Sequence, residues 1–232
     1  MNRNPILCAI DTPDTGRARA LAAAVSGVVG GIKLGLEFFV ANGPAALRQL
    51  AGATPLFLDL KLHDIPNTVA GAVRAAAALE PLLLTIHCAG GAAMMRAAAT
   101  AASEAGRGRR RMKLIGVTVL TSLDDGDLAA TGQRGTASEQ AQRLALLARD
   151  SGLDGVVCSP HEVAALRAAC GTSFLLVVPG IRPSGAAAAD QKRVLGPRAA
   201  LDAGADYLVI GRPITEAADP AAAARAIAAE LR

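Results

Sequence analysis

Eight short apolar runs punctuate the chain, each followed by a stretch in which alanine and leucine recur at helical spacing. The runs are Ile6–Ile10, Val28–Leu34, Leu56–Lys61, Leu82–Cys88, Leu114–Leu120, Gly155–Ser159, Phe174–Val178 and Tyr207–Ile210. Spread over 232 residues, eight runs leave 29 residues per unit, room for a strand, a helix and two loops. Continuous apolar strands alternating with helices predict a parallel sheet covered on its faces. Eight such units predict an α/β fold of one kind, a single (β/α)8 TIM barrel over residues 1–232. A doubly wound open sheet would carry G-x-G-x-x-G after its first strand, and that fingerprint is missing. No Pro-, Ser- or Gly-rich linker divides the chain.

The predicted helices are Ala18–Val25, Val69–Leu79, Ala92–Ala105, Glu139–Asp150, Glu162–Ala169, Gln191–Ala203 and Pro220–Leu231. Alanine has the best helix propensity and lets a helix pack closely on a sheet. Another helix near Phe38–Leu50 is broken at Asn42-Gly43-Pro44, and Leu123–Ala137 reads as a long loop with a short helical piece.

Composition narrows the function classes. Hydrophobic residues make up 52% and charged residues 19%, enough for a sizeable core and incompatible with disorder. Aromatics are only 2%, with no Trp, so platforms for stacking single-stranded bases are lacking. The net charge of +4 has a local source in Arg107, Arg109, Arg110, Arg111 and Lys113; taking those five away leaves −1. That distribution reads as a solvated basic loop and predicts no nucleic-acid partner. Cys8, Cys88, Cys158 and Cys170 form no C-x-x-C pair and read as free thiols in a reducing compartment. The apolar stretch at the N-terminus is too short for a signal peptide, and no run reaches membrane length, so a soluble cytoplasmic protein is expected.

Polar residues collect where a barrel does its chemistry, at the C-terminal ends of the strands. Asp11 follows the first run, Lys33 sits at the end of the second, and Asp59 and Lys61 at the end of the third. His87 ends the fourth run, Thr121 and Ser122 follow the fifth, Arg182 follows the seventh, and Gly211-Arg212 follows the eighth. Asp59 and Lys61 are two apart on a strand, so alternation points both into the barrel mouth. Charges in a Leu/Phe strand are costly unless paired, and Lys33 on the neighbouring strand is placed to sit beside Asp59. The bland alternative is a structural ion pair, with Asp64 an ordinary acid at a helix start. Lysine usage weighs against it: the chain has only four lysines, and two of them end adjacent strands. The loops after strands seven and eight, Val178-Pro-Gly-Ile-Arg-Pro-Ser-Gly185 and Ile210-Gly-Arg-Pro213, offer glycine amides and two arginines to a phosphate dianion. Small residues over Ser184–Asp190 suit a loop that closes over a ligand.

The three histidines, His63, His87 and His161, read as structural or solvated. No metal-ligand spacing appears, so no metal and no cofactor are expected. Ser159-Pro160 reads as a helix cap.

The segments Ala9-Ile-Asp11, Gly31-Ile-Lys-Leu-Gly35, Asp59-Leu-Lys-Leu-His-Asp-Ile-Pro-Asn-Thr68, Leu120-Thr-Ser122, Val178-Pro-Gly-Ile-Arg182, Asp190-Gln191 and Ile210-Gly-Arg-Pro213 closely resemble the orotidine 5′-phosphate decarboxylase family. They run in family order over nearly the whole chain, and D-x-K-x-x-D-I-P-x-T together with I-K-L-G is highly specific. The resemblance implies a cofactor-free decarboxylase that converts orotidine 5′-monophosphate to UMP, the last step of pyrimidine synthesis, as a homodimer of barrels. It implies an alternating row of Lys33, Asp59, Lys61 and Asp64, with Asp64 and Thr68 supplied by the other subunit and Lys61 the proton donor. It further implies that Asp11 holds ribose hydroxyls, that Thr121 contacts the pyrimidine, and that Pro179 belongs to the substrate-binding loop. Arg182, Arg212 and the Gly211 amide would bind phosphate, and Gln191 would bridge phosphate and base. The nearest rivals are magnesium-dependent relatives, 3-keto-L-gulonate 6-phosphate decarboxylase and hexulose phosphate synthase. These share D-x-K-x-x-D but carry an acidic residue where Lys33 stands.

Overall fold

The structure, a computed structural model, describes residues 4–108, 111–183 and 195–231. Its eight strands are β1 (Ile6–Ile10), β2 (Gly31–Gly35), β3 (Leu56–Leu62), β4 (Leu83–His87), β5 (Lys113–Val117), β6 (Gly155–Val157), β7 (Leu175–Val178) and β8 (Tyr207–Ile210). They pair in parallel, in chain order, and β8 closes on β1 with Leu7 opposite Val209. The helices are α1 (Thr15–Val25), α2 (Leu36–Ala51), α3 (Pro66–Ala77), α4 (Gly91–Ala105), α5 (Asp125–Ala130), α6 (Ala137–Asp150), α7 (Val163–Cys170), α8 (Pro197–Asp202), α9 (Arg212–Thr215) and α10 (Pro220–Ala229). The predicted barrel is therefore the observed one.

Strand alternation sorts the core into two compartments. Leu7, Phe57, Leu83, Ile115, Val177, Tyr207 and Val209 point inward and fill the barrel. Their neighbours Cys8, Leu58, Leu84, Leu114, Leu176 and Leu208 point outward and pack under the helices. A barrel filled in this way is a rigid plug, and the inward positions one layer higher are left to carry polar groups.

The differences from the sequence reading have local causes. The second strand starts at Gly31, because Val28 and Val29 both donate to the Val25 carbonyl and extend the end of α1. The fifth ends at Val117, and Val119 packs instead with Leu128, Ala137 and Ala141 in a small cluster under α5 and α6. At Gly43 (φ 71°) α2 kinks, the left-handed backbone that admits Pro44. Only Pro197–Asp202 of the predicted helix Gln191–Ala203 is helical among the described residues, and α9 was not anticipated. In the basic loop, Arg111 and Lys113 pair with Asp154, Lys113 at 3.0 Å, and the other Asp154 oxygen accepts from the Leu114 amide at 2.9 Å. Those two charges thus tie the start of β5 to the turn before β6. Arg109 and Arg110 lie outside the described residues.

Candidate active site

Counting up each strand by twos from the filled interior leads to a cavity of about 440 Å³ at the C-terminal mouth. Asp11, Lys33, Asp59, Lys61, Thr121, Pro179, Arg182, Gly211 and Arg212 all line it. One part of the lining is the β1–β3 side with its carboxylates and ammonium groups; another is the β7 and β8 loops with their arginines.

On the charged wall Lys33 and Asp59 are each 9% exposed. The Asp59 Oδ2 accepts from Lys61 Nζ at 2.9 Å and lies 3.5 Å from Lys33 Nζ, which in turn donates to Asp11 Oδ1 at 3.0 Å. Four charges thus alternate in sign, Asp11–Lys33–Asp59–Lys61, each held by its neighbours. Burial by itself would drive Lys33 toward its neutral form, but Asp59 and Asp11 outweigh it and raise its pKa. Burial likewise opposes ionised Asp59, and Lys33, Lys61 and two hydrogen bonds overcome that and lower its pKa. Lys33 and Asp59 are thus each held in their charged forms by the other. Gly35 makes room for the row: a Cβ there would lie 3.3 Å from Lys33 Nζ and 3.5 Å from Asp11 Oδ1.

The backbone under Lys61 is unusual. Its φ is +49°, a left-handed value rare for a residue with a side chain and costing on the order of 1–3 kcal/mol. The β3–β4 ladder passes from Leu58 opposite Leu84 straight to Leu62 opposite Ile86, so three residues of β3 bulge across from Thr85 alone. Asp59 and Lys61 therefore reach the cavity together from a bulge rather than from a regular strand.

The loops after β7 and β8 bring two arginines to the cavity. Gly180 adopts φ +75° to turn the chain after β7, and Gly211 precedes the first turn of α9. Burial and the nearby charge of Arg212 hold the pKa of Arg182 below its ordinary value, as expected of two like charges brought close together.

Not every expected residue is at the cavity. Asp64 is exposed, its Oδ1 accepting from the Ile65 amide at 2.6 Å, and neither it nor Thr68 lines the cavity of its own chain. Gln191 and the Ser184–Asp190 stretch lie outside the described residues. His63 and His87 stack at 5.3 Å, away from the cavity lining, and burial, His63 and Lys61 together keep His87 neutral. Ser159 caps a short turn, with the Glu162 carboxylate accepting its amide at 2.8 Å. Sequence reasoning missed Thr85, Arg17, Thr215 and Glu216. The last three line the cavity from helix ends, where no strand alternation points to them. Thr85 was legible as the polar residue two before His87 on an inward column.

The family model for the orotidine 5′-phosphate decarboxylase / HUMPS family matches residues 4–227, which takes in every charged residue of the cavity. The chain belongs to that family. Family members of the same name include one from Rhodospirillum rubrum, 58% identical over 235 residues, covering 100% of this chain and 95% of that protein. Another, from Paramagnetospirillum magneticum, is 55% identical and covers 98% of each. The crystal structure of orotidine 5′-phosphate decarboxylase from Lactobacillus acidophilus superposes with a TM-score of 0.88 at 36% identity, covering 99% of both chains. The similarity in this family thus extends from sequence to the whole barrel. Among the described residues no helix is long and apolar enough to cross a membrane.

Proposed function

We infer that this chain decarboxylates orotidine 5′-monophosphate to UMP, the last step of pyrimidine biosynthesis. The observation that carries the reading is an ammonium–carboxylate row and a pair of arginines lining one cavity, in a chain of this family. Arg182, Arg212 and the Gly211 amide grip the 5′-phosphate, Pro179 belongs to the substrate-binding loop, and Gln191 bridges phosphate and base. Asp11 takes ribose hydroxyls and Thr121 the pyrimidine edge. That grip leaves C6 and its carboxylate over Asp59 and Lys61.

When the C6–carboxylate bond breaks, CO₂ departs and the electron pair stays on C6 in the plane of the ring, where it cannot spread into the carbonyls. A fixed positive charge must stabilise that pair and a proton must quench it. The Lys61 ammonium does both: it lies beside the developing carbanion and transfers its proton to C6. Water then reprotonates the lysine. Asp59, itself held by Lys33, orients the Lys61 ammonium at 2.9 Å and crowds the departing carboxylate. Binding energy from the remote phosphate supports the step at the far end of the substrate.

The family's name spans two activities, and Lys33 separates them here. The magnesium-dependent relatives that this chain resembles carry an acid at that position; here an ammonium occupies it and engages both Asp11 and Asp59. The expected chemistry therefore needs neither metal nor cofactor. Loss of substrate absorbance with purified protein in EDTA tests the reading, and Lys61→Ala should abolish the signal. No turnover by the unaltered protein would overturn it.

The working unit is a homodimer of single-barrel catalytic domains in the cytoplasm, each site completed by Asp64 and Thr68 of the other copy. Support comes from the exposed His63–Thr68 segment, with Ile65 at 66% exposure, and from Val40 at 80% exposure on the preceding unit. Apolar side chains so exposed suit burial against a second copy. Mixing inactive Asp64→Ala and Lys61→Ala subunits should restore part of the activity, because one hybrid site regains a full row. Mixtures that stay inactive while heterodimers form would refute the shared site.

A further inference from the structure

Thr85 lies on β4, fully buried, and is not itself one of the residues that line the cavity. Its hydroxyl nonetheless makes two hydrogen bonds into the charged wall. Thr85 Oγ1 accepts from the Lys61 main-chain amide at 2.9 Å and donates to Asp59 Oδ1 at 2.9 Å. The direction of both bonds is fixed by chemistry. An amide N–H can only donate, so the hydroxyl accepts there and its single proton is left for the ionised carboxylate, which can only accept.

Each bond answers a specific need. The bulge removes Lys61 from the ladder, so its amide needs a partner elsewhere, and a buried amide without one is costly. The left-handed backbone at Lys61 persists only if its surroundings over-determine it, and the bond to Thr85 does so. On the carboxylate, Thr85 takes Oδ1, which leaves Oδ2 as the oxygen that receives both Lys61 Nζ and Lys33 Nζ. Thr85 is β-branched and 0% exposed on a barrel strand, so its rotamer is stiff and water does not compete.

We propose that Thr85 is a positioning residue for the reaction, its one hydroxyl setting the main chain that carries Lys61 and the carboxylate that aims the Lys61 ammonium. The proposal rests on the decarboxylase reading. Thr85 touches no substrate; it acts through Lys61 and Asp59.

The test pairs Thr85→Val, which keeps the shape and deletes both bonds, with Thr85→Ser, which keeps the hydroxyl and deletes a methyl. In Thr85→Val kcat for orotidine 5′-monophosphate should fall about a hundredfold, the scale of a small misplacement of a reacting group. KM and the dissociation constant for UMP should stay within about twofold, because phosphate binding is untouched. Thr85→Ser should recover kcat to within about threefold of the unaltered protein, since side-chain hydroxyls of both residues make the same bonds. A Val variant with unaltered kcat, a rise in KM alone, or a Ser variant as impaired as Val would each overturn the proposal. Should Val fail to fold, the Ser result decides alone. Hydrogen exchange at the Lys61 amide gives a readout free of substrate. Its protection should drop about tenfold in Val and persist in Ser; equal protection in all three proteins would overturn the proposal whatever the activity. Absence of turnover in the unaltered protein would instead strike the decarboxylase reading.

Discussion

Replacing Asp59 with Asn removes the one negative charge lying between two ammonium groups while keeping the side chain's size. At 2.9 Å from Lys61 and 3.5 Å from Lys33, and with an effective dielectric near 20, the gross attractions are about 6 and about 5 kcal/mol. Desolvation of the buried carboxylate offsets much of that, so the net worth is far smaller. Breaking one partner out of a buried pair typically costs about 3–5 kcal/mol. Lys61 is one-third exposed and partly screened, while Lys33 retains Asp11 at 3.0 Å, so the lower end applies, about 3 kcal/mol. The new amide also turns N–H donors toward ammonium groups that cannot accept them, although its oxygen still receives the Thr85 hydroxyl. For a chain of this length the melting temperature should fall by about 6–12 °C. Thermal and urea unfolding of Asp59→Asn, Lys61→Met and the double variant form a cycle that isolates the coupling. The double variant should be less destabilised than the two singles added together, by at least about 1 kcal/mol. Single effects that add to within about 0.5 kcal/mol would refute the claim that the row is one coupled unit.

Stability should plateau across the middle of the pH range. Asp59 is depressed from its ordinary 3.8, so its contribution is present above that value and lost as pH falls through its lower folded pKa. Lys33 is raised from 10.5, so its contribution is present below that value and lost as pH rises through its higher folded pKa. His87, lowered from 6.5, takes stability away only below that value, so a melting temperature that drops between pH 7 and 8 would contradict this, and calorimetry checks it. The native thiols should resist a disulfide reagent at pH 8, since burial pushes Cys8 and Cys88 up to about 12 and raises Cys158 and Cys170. Reaction should appear only on unfolding; rapid labelling of folded protein would show that a thiol is exposed. Arg182→Ala should weaken UMP binding about tenfold or more, a charge-assisted contact being lost, without lowering the melting temperature, because it also relieves repulsion from Arg212. Calorimetric titration with UMP measures this, and unchanged affinity would remove Arg182 from the phosphate grip.

The barrel was legible because its signal is local. A β-branched run and an alanine-rich helix repeat eight times, and each unit can bury its apolar face only against its neighbours. The same counting put Asp11, Lys33, Asp59, Arg182 and Gly211 at the mouth, since each ends or follows a strand at the C-terminal end of the barrel. It also sent Lys61 inward, though by an incomplete argument, because plain alternation assumes a regular strand and β3 bulges there. The bulge, the left-handed turn at Lys61 and the role of Thr85 follow from contacts between residues 24 and 26 positions apart in the chain. Neither spacing nor propensity within one segment encodes such contacts. Local chemistry thus sufficed to determine the repeating unit, the charged residues and the end of the barrel at which they gather. Which oxygen of Asp59 faces which ammonium, and what fixes the main chain beneath Lys61, was settled only when β4 closed against β3. A hydroxyl and a carboxylate have no preferred partner until packing excludes water from both.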